Sequence, residues 1–107
     1  MRYLFLIHDD EDGLDGHSQL GGEIFAAIGR GARLISEHRL QAGHAATTLR
    51  NTSSGLVLSD GPFTADAARL SLVCVAELPD LDDALLAGRA LAATAAGVEI
   101  RPLRIAR

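Results

Sequence analysis

Apolar residues along the chain gather into blocks separated by acidic, glycine-rich or small polar stretches. Tyr3-Leu4-Phe5-Leu6-Ile7 is an unbroken apolar run bounded by charge. Its length and aromatic content predict a strand buried on both faces. A polar loop rich in Asp and Gly follows, from His8 to His17. From about Ser18 to Leu40 the pattern turns helical, with Leu20, Ile24, Ile28, Ala32 and Ile35 at three- and four-residue spacing and Phe25 beside them. Ser18 suits the start and Gly43 the stop. Gly21, Gly22, Gly29 and Gly31 each cost about 1 kcal/mol against Ala in a helix interior. Either this helix begins later or it lies very close to a neighbouring backbone.

His44 to Arg50 reads as a short strand, and Asn51-Thr52-Ser53-Ser54-Gly55 is turn chemistry. Leu56 to Ser59 is the next strand, so the two form a hairpin. Leu70 to Glu77 alternates, with Leu70, Leu72, Cys74 and Ala76 on one face and Val73 and Val75 on the other. It is expected as a central strand. The second helix is well signalled. Asp80 stands as N-cap, and Asp82 and Asp83 lie where the helix dipole favours acids. Its predicted apolar stripe is Leu81, Ala84, Leu85, Gly88, Leu91, Ala92 and Ala95, with Gly97 as the stop. Val98 to Arg101 is the last strand, and Pro102 removes a ladder donor there.

The order is strand, helix, two or three strands, helix, strand. It predicts an α+β sandwich, and its simplest form is a ferredoxin-like split βαβ arrangement with an extra short strand. The antiparallel sheet would carry two helices on one face. A second copy of the chain is the simplest cover for the other face.

Length and composition narrow the partners. The chain has 107 residues, enough for one domain that buries roughly 60–70% of its unfolded surface. Aromatics are only 4%, so aliphatic packing fills the core and base-stacking platforms are not expected. The net charge is −4 and no basic face forms, which argues against nucleic acid and anionic membranes. All ten basic residues are Arg. Without Lys, neither Schiff-base chemistry nor the Lys-ended phosphate loop is available. Cys74 is the only cysteine and lies within an apolar strand. It reads as a small buried hydrophobe and fits a reducing cytosol. Tyr3 to Ile7 is too short for a signal core, and no apolar run is long enough to cross a membrane.

Two tempting motifs fail. Gly29 to Leu34, "GRGARL", lacks the third Gly of a dinucleotide fingerprint and does not follow a strand. His8 to Gly13, "HDDEDG", places Asp10, Asp12 and Gly13 as in a calcium loop, but His8 and Gln19 stand where carboxylates are needed. His8, His17, His38 and His44 have no metal-binding spacing on a helix. No metal and no cofactor are expected.

"SDGPFTAD", Ser59 to Asp66, ends the hairpin. Gly61 supplies backbone freedom, and Pro62 fixes its own φ and disfavours helical geometry at Gly61. Phe63 can anchor the loop by burial, worth roughly 1.5–3 kcal/mol. Asp60 can accept backbone N–H groups of the turn. The turn therefore uses all four residues without chemistry, and a catalytic Asp60 is the competing reading.

Asp60-Gly61-Pro62-Phe63 resembles the signature of the DGPF-domain proteins of the YCII-related family. "MRYLFLIH" is similar to that family's opening strand, and "AATTLR" with "GLVLSDGPF" to its central hairpin. "ELPDLDDALLAG" and "VEIRPL" are similar to its second helix and final strand. The resemblance implies a ferredoxin-like fold that pairs through its sheets into a dimeric α/β barrel. It also implies relatives that act on small molecules, and genes beside alternative sigma factors. This chain departs from the family in two places. Ala65-Asp66-Ala67-Ala68-Arg69 and Leu70-Ser71 replace a Glu-Thr-Lys-Glu-like run and paired glycines, and His8 replaces a Tyr.

Two functions compete, beside a third reading in which the fold is orphaned and its pocket vestigial. In one, His8 and Asp60 or Asp9 move a proton on a small molecule without a cofactor. The carboxylate orients the ring, the imidazole acts as base, and Arg50 or Arg69, with Phe63, holds an anionic substrate. In the other, the chain is a non-catalytic interaction module with a sigma factor as partner.

Overall fold

A computed structural model describes residues 1–9, 20–29, 31–65, 69–93 and 95–104. The elements run β1 (Arg2–His8), α1 (Leu20–Ile28), β2 (Arg33–Arg39), a single 3-10 turn (Gly43–Ala45), β3 (Thr47–Thr52), β4 (Gly55–Asp60), β5 (Leu70–Glu77), α2 (Leu81–Ala92) and β6 (Gly97–Pro102). β2, β5, β1 and β6 form one sheet in that order. Every pairing in it is antiparallel. β3 and β4 form a separate two-stranded sheet. Without that hairpin, the four-stranded sheet and two helices follow the ferredoxin-like split βαβ order. We call this part the body and the hairpin the arm.

The alternation expected along β5 sorts the body into layers. Tyr3, Phe5 and Ile7 of β1 stand opposite Ala76, Cys74 and Leu72 of β5. All six are buried, in one cluster with Phe25 of α1 and Ala84, Ala87 and Leu91 of α2. Both helices therefore cover the same face of the sheet. Phe5 and Phe25 meet edge to face with ring centroids 5.3 Å apart, a favoured aromatic geometry. Leu4, Leu6, Val73 and Val75 point to the other face and are only half-buried. β1 is thus buried on one face only, not on both as its continuous apolar run predicts.

The long first helix is corrected. It ends at Ile28, and residues 33–39 form β2. Gly29 and Gly31 both have positive φ, +88° and +77°, a region that glycine enters without a Cβ penalty. Ala32 N–H closes this turn on the Gly29 carbonyl at 3.0 Å. The glycines therefore end the helix and do not sit inside it. A Cβ on Gly31 would lie 2.8 Å from Pro79 Cγ, so the turn is also packed against the segment before α2. Four strands, not two or three, consequently lie between the helices. Of the acidic loop expected from His8, His8 itself ends β1; residues 10–17 and Ser18 lie outside the described residues.

α2 begins as expected. Asp80 Oδ1 accepts a hydrogen bond from the Asp83 N–H at 3.0 Å, which satisfies one orphan donor of the first turn. Its buried face differs from the predicted stripe. Ala84, Ala87, Gly88 and Leu91 are buried, whereas Leu81 and Leu85 are exposed. The helix stops at Ala92, and Gly97 opens β6. Among the described residues no helix is long and apolar enough to cross a membrane.

Candidate functional site

The strand ends that face the arm carry the first group of candidates. The register of β1 on β5 shifts between Ile7 and His8, so that His8 stands opposite Leu70. Such a bulge re-aims the side chains beside it. The irregularity is held by the buried Ser71 hydroxyl, which donates to the Ile7 carbonyl at 3.1 Å. The Asp9 N–H donates to the Arg69 carbonyl at 2.9 Å. His8, Asp9 and Arg69 are thereby brought to one corner of the body. His8 is half-buried, Asp9 is buried and Arg69 is exposed.

The second group lies at the root of the arm. Gly61 has φ +102°, the backbone freedom expected of it. Its N–H donates to the Ala46 carbonyl at 2.7 Å, and its own carbonyl accepts from the Thr48 hydroxyl at 2.7 Å. Asp60 is exposed opposite Thr47, and its carboxylate accepts none of the bonds that hold this turn. Phe63 is not anchored by burial, being 59% exposed. Arg50 holds it instead. The guanidinium donates to the Phe63 carbonyl at 2.7 Å and its Cζ lies 4.3 Å from the ring centroid. This is cation–π geometry.

Between the two groups lies an open groove of about 440 Å³, lined by residues 40–43, 45 and 46, Pro62 and Leu70. Pro62 belongs to the Asp60–Phe63 turn, and Leu70 is the cross-strand partner of His8. The body and the arm therefore each contribute one wall. The floor is the connector after β2, tied to the body by the Leu40 N–H donating to the Ser71 carbonyl at 2.9 Å. Its small side chains, Ala42, Gly43, Ala45 and Ala46, leave the space. No hydrogen bond joins His8 to Asp60 among the described residues. Of the candidates, the structure joins Arg50 to Phe63 by side chain and Asp9 to Arg69 by backbone. His8 and Arg69 stand beside the lining residue Leu70, and Asp60 and Phe63 near the lining residue Pro62, but none of the six lines the groove itself.

The connector was the feature that sequence reading passed over. The signal available was the run of small residues from Ala42 to Ala46, which a helix stop and a short strand seemed to account for. Glu37 was also passed over. Its Oε1 is buried without a hydrogen-bond partner, on the β2 residue opposite Cys74. Burial pushes the Cys74 thiol up to about 12, and the nearby Glu37 charge adds to the effect. Cys74 therefore stays a neutral thiol, as a buried hydrophobe should. Among the described residues no group of three or more His, Cys, Asp and Glu side chains gathers as a metal site would. No protein-family model and no curated protein matches the chain.

Proposed function

We propose that this chain is a DGPF-type protein of the YCII-related family. Two copies pair through their open sheet faces as a dimeric α/β barrel, and each binds a small, largely apolar acid in the groove at the arm's root. His8 moves a proton there without a cofactor. The observation that carries the reading is the groove itself, which has the size and apolar lining of a small-molecule site. His8 is the cross-strand partner of its lining residue Leu70, and Asp60 lies two residues before its lining residue Pro62. Arg50 is committed to Phe63. Arg69 is exposed and its side chain has no partner among the described residues, so Arg69 is the cation that receives the acid group. Asp9, next to His8 in the chain, orients the imidazole.

Two-oxo acids and unsaturated lactones, incubated with the protein in D₂O and followed by proton NMR, test the chemistry. Exchange of a proton beside the carbonyl should be catalysed by the native chain and fall about 100-fold or more in His8→Gln, the usual scale for a lost general base. Equal exchange in the two proteins would remove His8 from the chemistry. No exchange, with unperturbed resonances for Ala42, Ala46 and Leu70, would remove the groove.

A further inference from the structure

Among the described residues, the arm carries a row of leucines that neither helix covers. Its register pairs Leu49 with Leu58 and Asn51 with Leu56, and places Thr47 opposite Asp60. Side chains alternate along strands, so these six residues share one face of the ribbon. Leu49, Leu56 and Leu58 on that face are 64%, 69% and 68% exposed. The opposite face carries Thr48, Arg50, Thr52 and Val57. A two-stranded hairpin alone is marginally stable in water. A row of adjacent exposed leucines is a docking surface more often than an accident.

We infer that the leucine face of the arm docks on a second copy of this chain, so that each subunit grips the other outside the sheet-to-sheet contact. This rests on the pairing proposed above and explains how that pairing becomes stable. Four strands of 6 to 8 residues, spaced about 4.8 Å apart, give the open face a plan area of roughly 450 Å². A standard stable interface buries about 800 Å² per partner. The open face alone falls short; each copy's leucine face adds roughly 200 Å² by the same dimensions, and the patch covered by the partner's arm adds as much again. A two-fold axis uses both surfaces of both copies, which closes the assembly.

The chemistry of the two surfaces agrees. Both are aliphatic β-surfaces, Leu49, Leu56 and Leu58 on the arm and Leu4, Leu6, Val73 and Val75 on the body. The only charge on the arm's leucine face is the acid Asp60. By register, the open face carries Arg2, Arg33 and Arg101 with Glu77 and Glu99. Arg33 pairs with Glu77 and Arg101 with Glu99, and Arg2 stands across from Glu77, so these residues carry one cation more than their acids for an incoming carboxylate. An anionic membrane fits poorly, since the leucine face offers no cation to lipid headgroups.

Gel filtration with light scattering over a concentration series, on the native chain and on Leu49→Arg, Leu58→Arg and Val57→Glu, tests the arm. Circular dichroism confirms the fold of each. The native chain should dimerise, the two leucine variants should weaken dimerisation at least 100-fold, and Val57→Glu, on the ribbon's other face, should leave it unchanged. A native dimer whose leucine variants pair as tightly would overturn the arm contact and leave the sheet pairing standing. A native monomer at all concentrations would overturn both. Hydrogen exchange of the unsubstituted chain reads the same contact without a variant. Protection of the Leu49 and Leu58 amides should rise as the dimer forms, and protection independent of concentration would count against the arm.

Discussion

The body buries Phe5, Ile7, Leu72 and Cys74 completely, while the arm, built from strands of similar length, leaves its three leucines about two-thirds exposed. The difference is one of partners. Each body strand's inward side chains meet α1 or α2, and the sheet is wide enough to support a two-sided sandwich. The arm has two strands and no helix; Gly61 bonds Ala46 across its root, and the connector below it is tied to the body through Leu40 with Ser71. Stability therefore resides in the body, and recognition at the arm and its root. The radius of gyration, 15.4 Å, exceeds the roughly 13 Å expected of a compact domain this size, as a projecting ribbon requires.

The sharpest test of that division is a core truncation. Phe5→Ala removes a fully buried ring and its edge-to-face contact with Phe25, and should cost about 3–5 kcal/mol in urea unfolding. Gly31→Ala should cost about 1–3 kcal/mol, because Ala at φ +77° is strained and its Cβ meets Pro79. A neutral Gly31→Ala would mean that the turn between α1 and β2 has another shape.

The body should also show a pH signature. Cys74 has a folded-state pKa raised from 9.0 to about 12. The unfolded chain then loses this proton first as pH rises. The stabilisation is whole below pH 9 and declines between pH 9 and about 12, by up to about 1.4 kcal/mol per pH unit. Unfolding curves of native chain and Cys74→Ala should diverge in slope across that window, and parallel curves would place Cys74 in contact with water. Next in size is the cap. Asp80→Ala should cost about 1 kcal/mol. Smallest is the arm. Leu58→Ser, measured where the chain is monomeric, should shift stability by no more than about 0.5 kcal/mol. A loss as large as that of Phe5→Ala would erase the distinction between the two regions.

How much of this was legible in the sequence follows the same line. β5 showed itself by strict alternation, α2 by the Asp80 cap, and the hairpin by its Asn-Thr-Ser-Ser-Gly turn, because each signal is local. The stretch from Ala32 to Leu40 misled, since Ala32 and Ile35 extend the helical spacing of Ile24 and Ile28. The deciding fact was the left-handed backbone at Gly29 and Gly31, and the glycines themselves were its only trace. The exposed side of α2 was hidden for a related reason. Leu81 and Leu85 fit the periodicity, but the short helix turns Ala84, Ala87 and Leu91 inward. At the site, the turn at Gly61 is legible in the sequence, but Asp60 accepts none of its described hydrogen bonds and Phe63 is exposed, held by Arg50, which is distant in sequence. The groove depends on where the arm folds against the body, which no local pattern encodes.

Sedimentation equilibrium of the native chain across a wide concentration range tests most directly whether the exposed surfaces of body and arm belong to an interface. A species of twice the chain's mass that persists on dilution to micromolar concentration is the predicted result. A single, well-ordered chain at millimolar concentration would contradict the pairing and the grip of the arm.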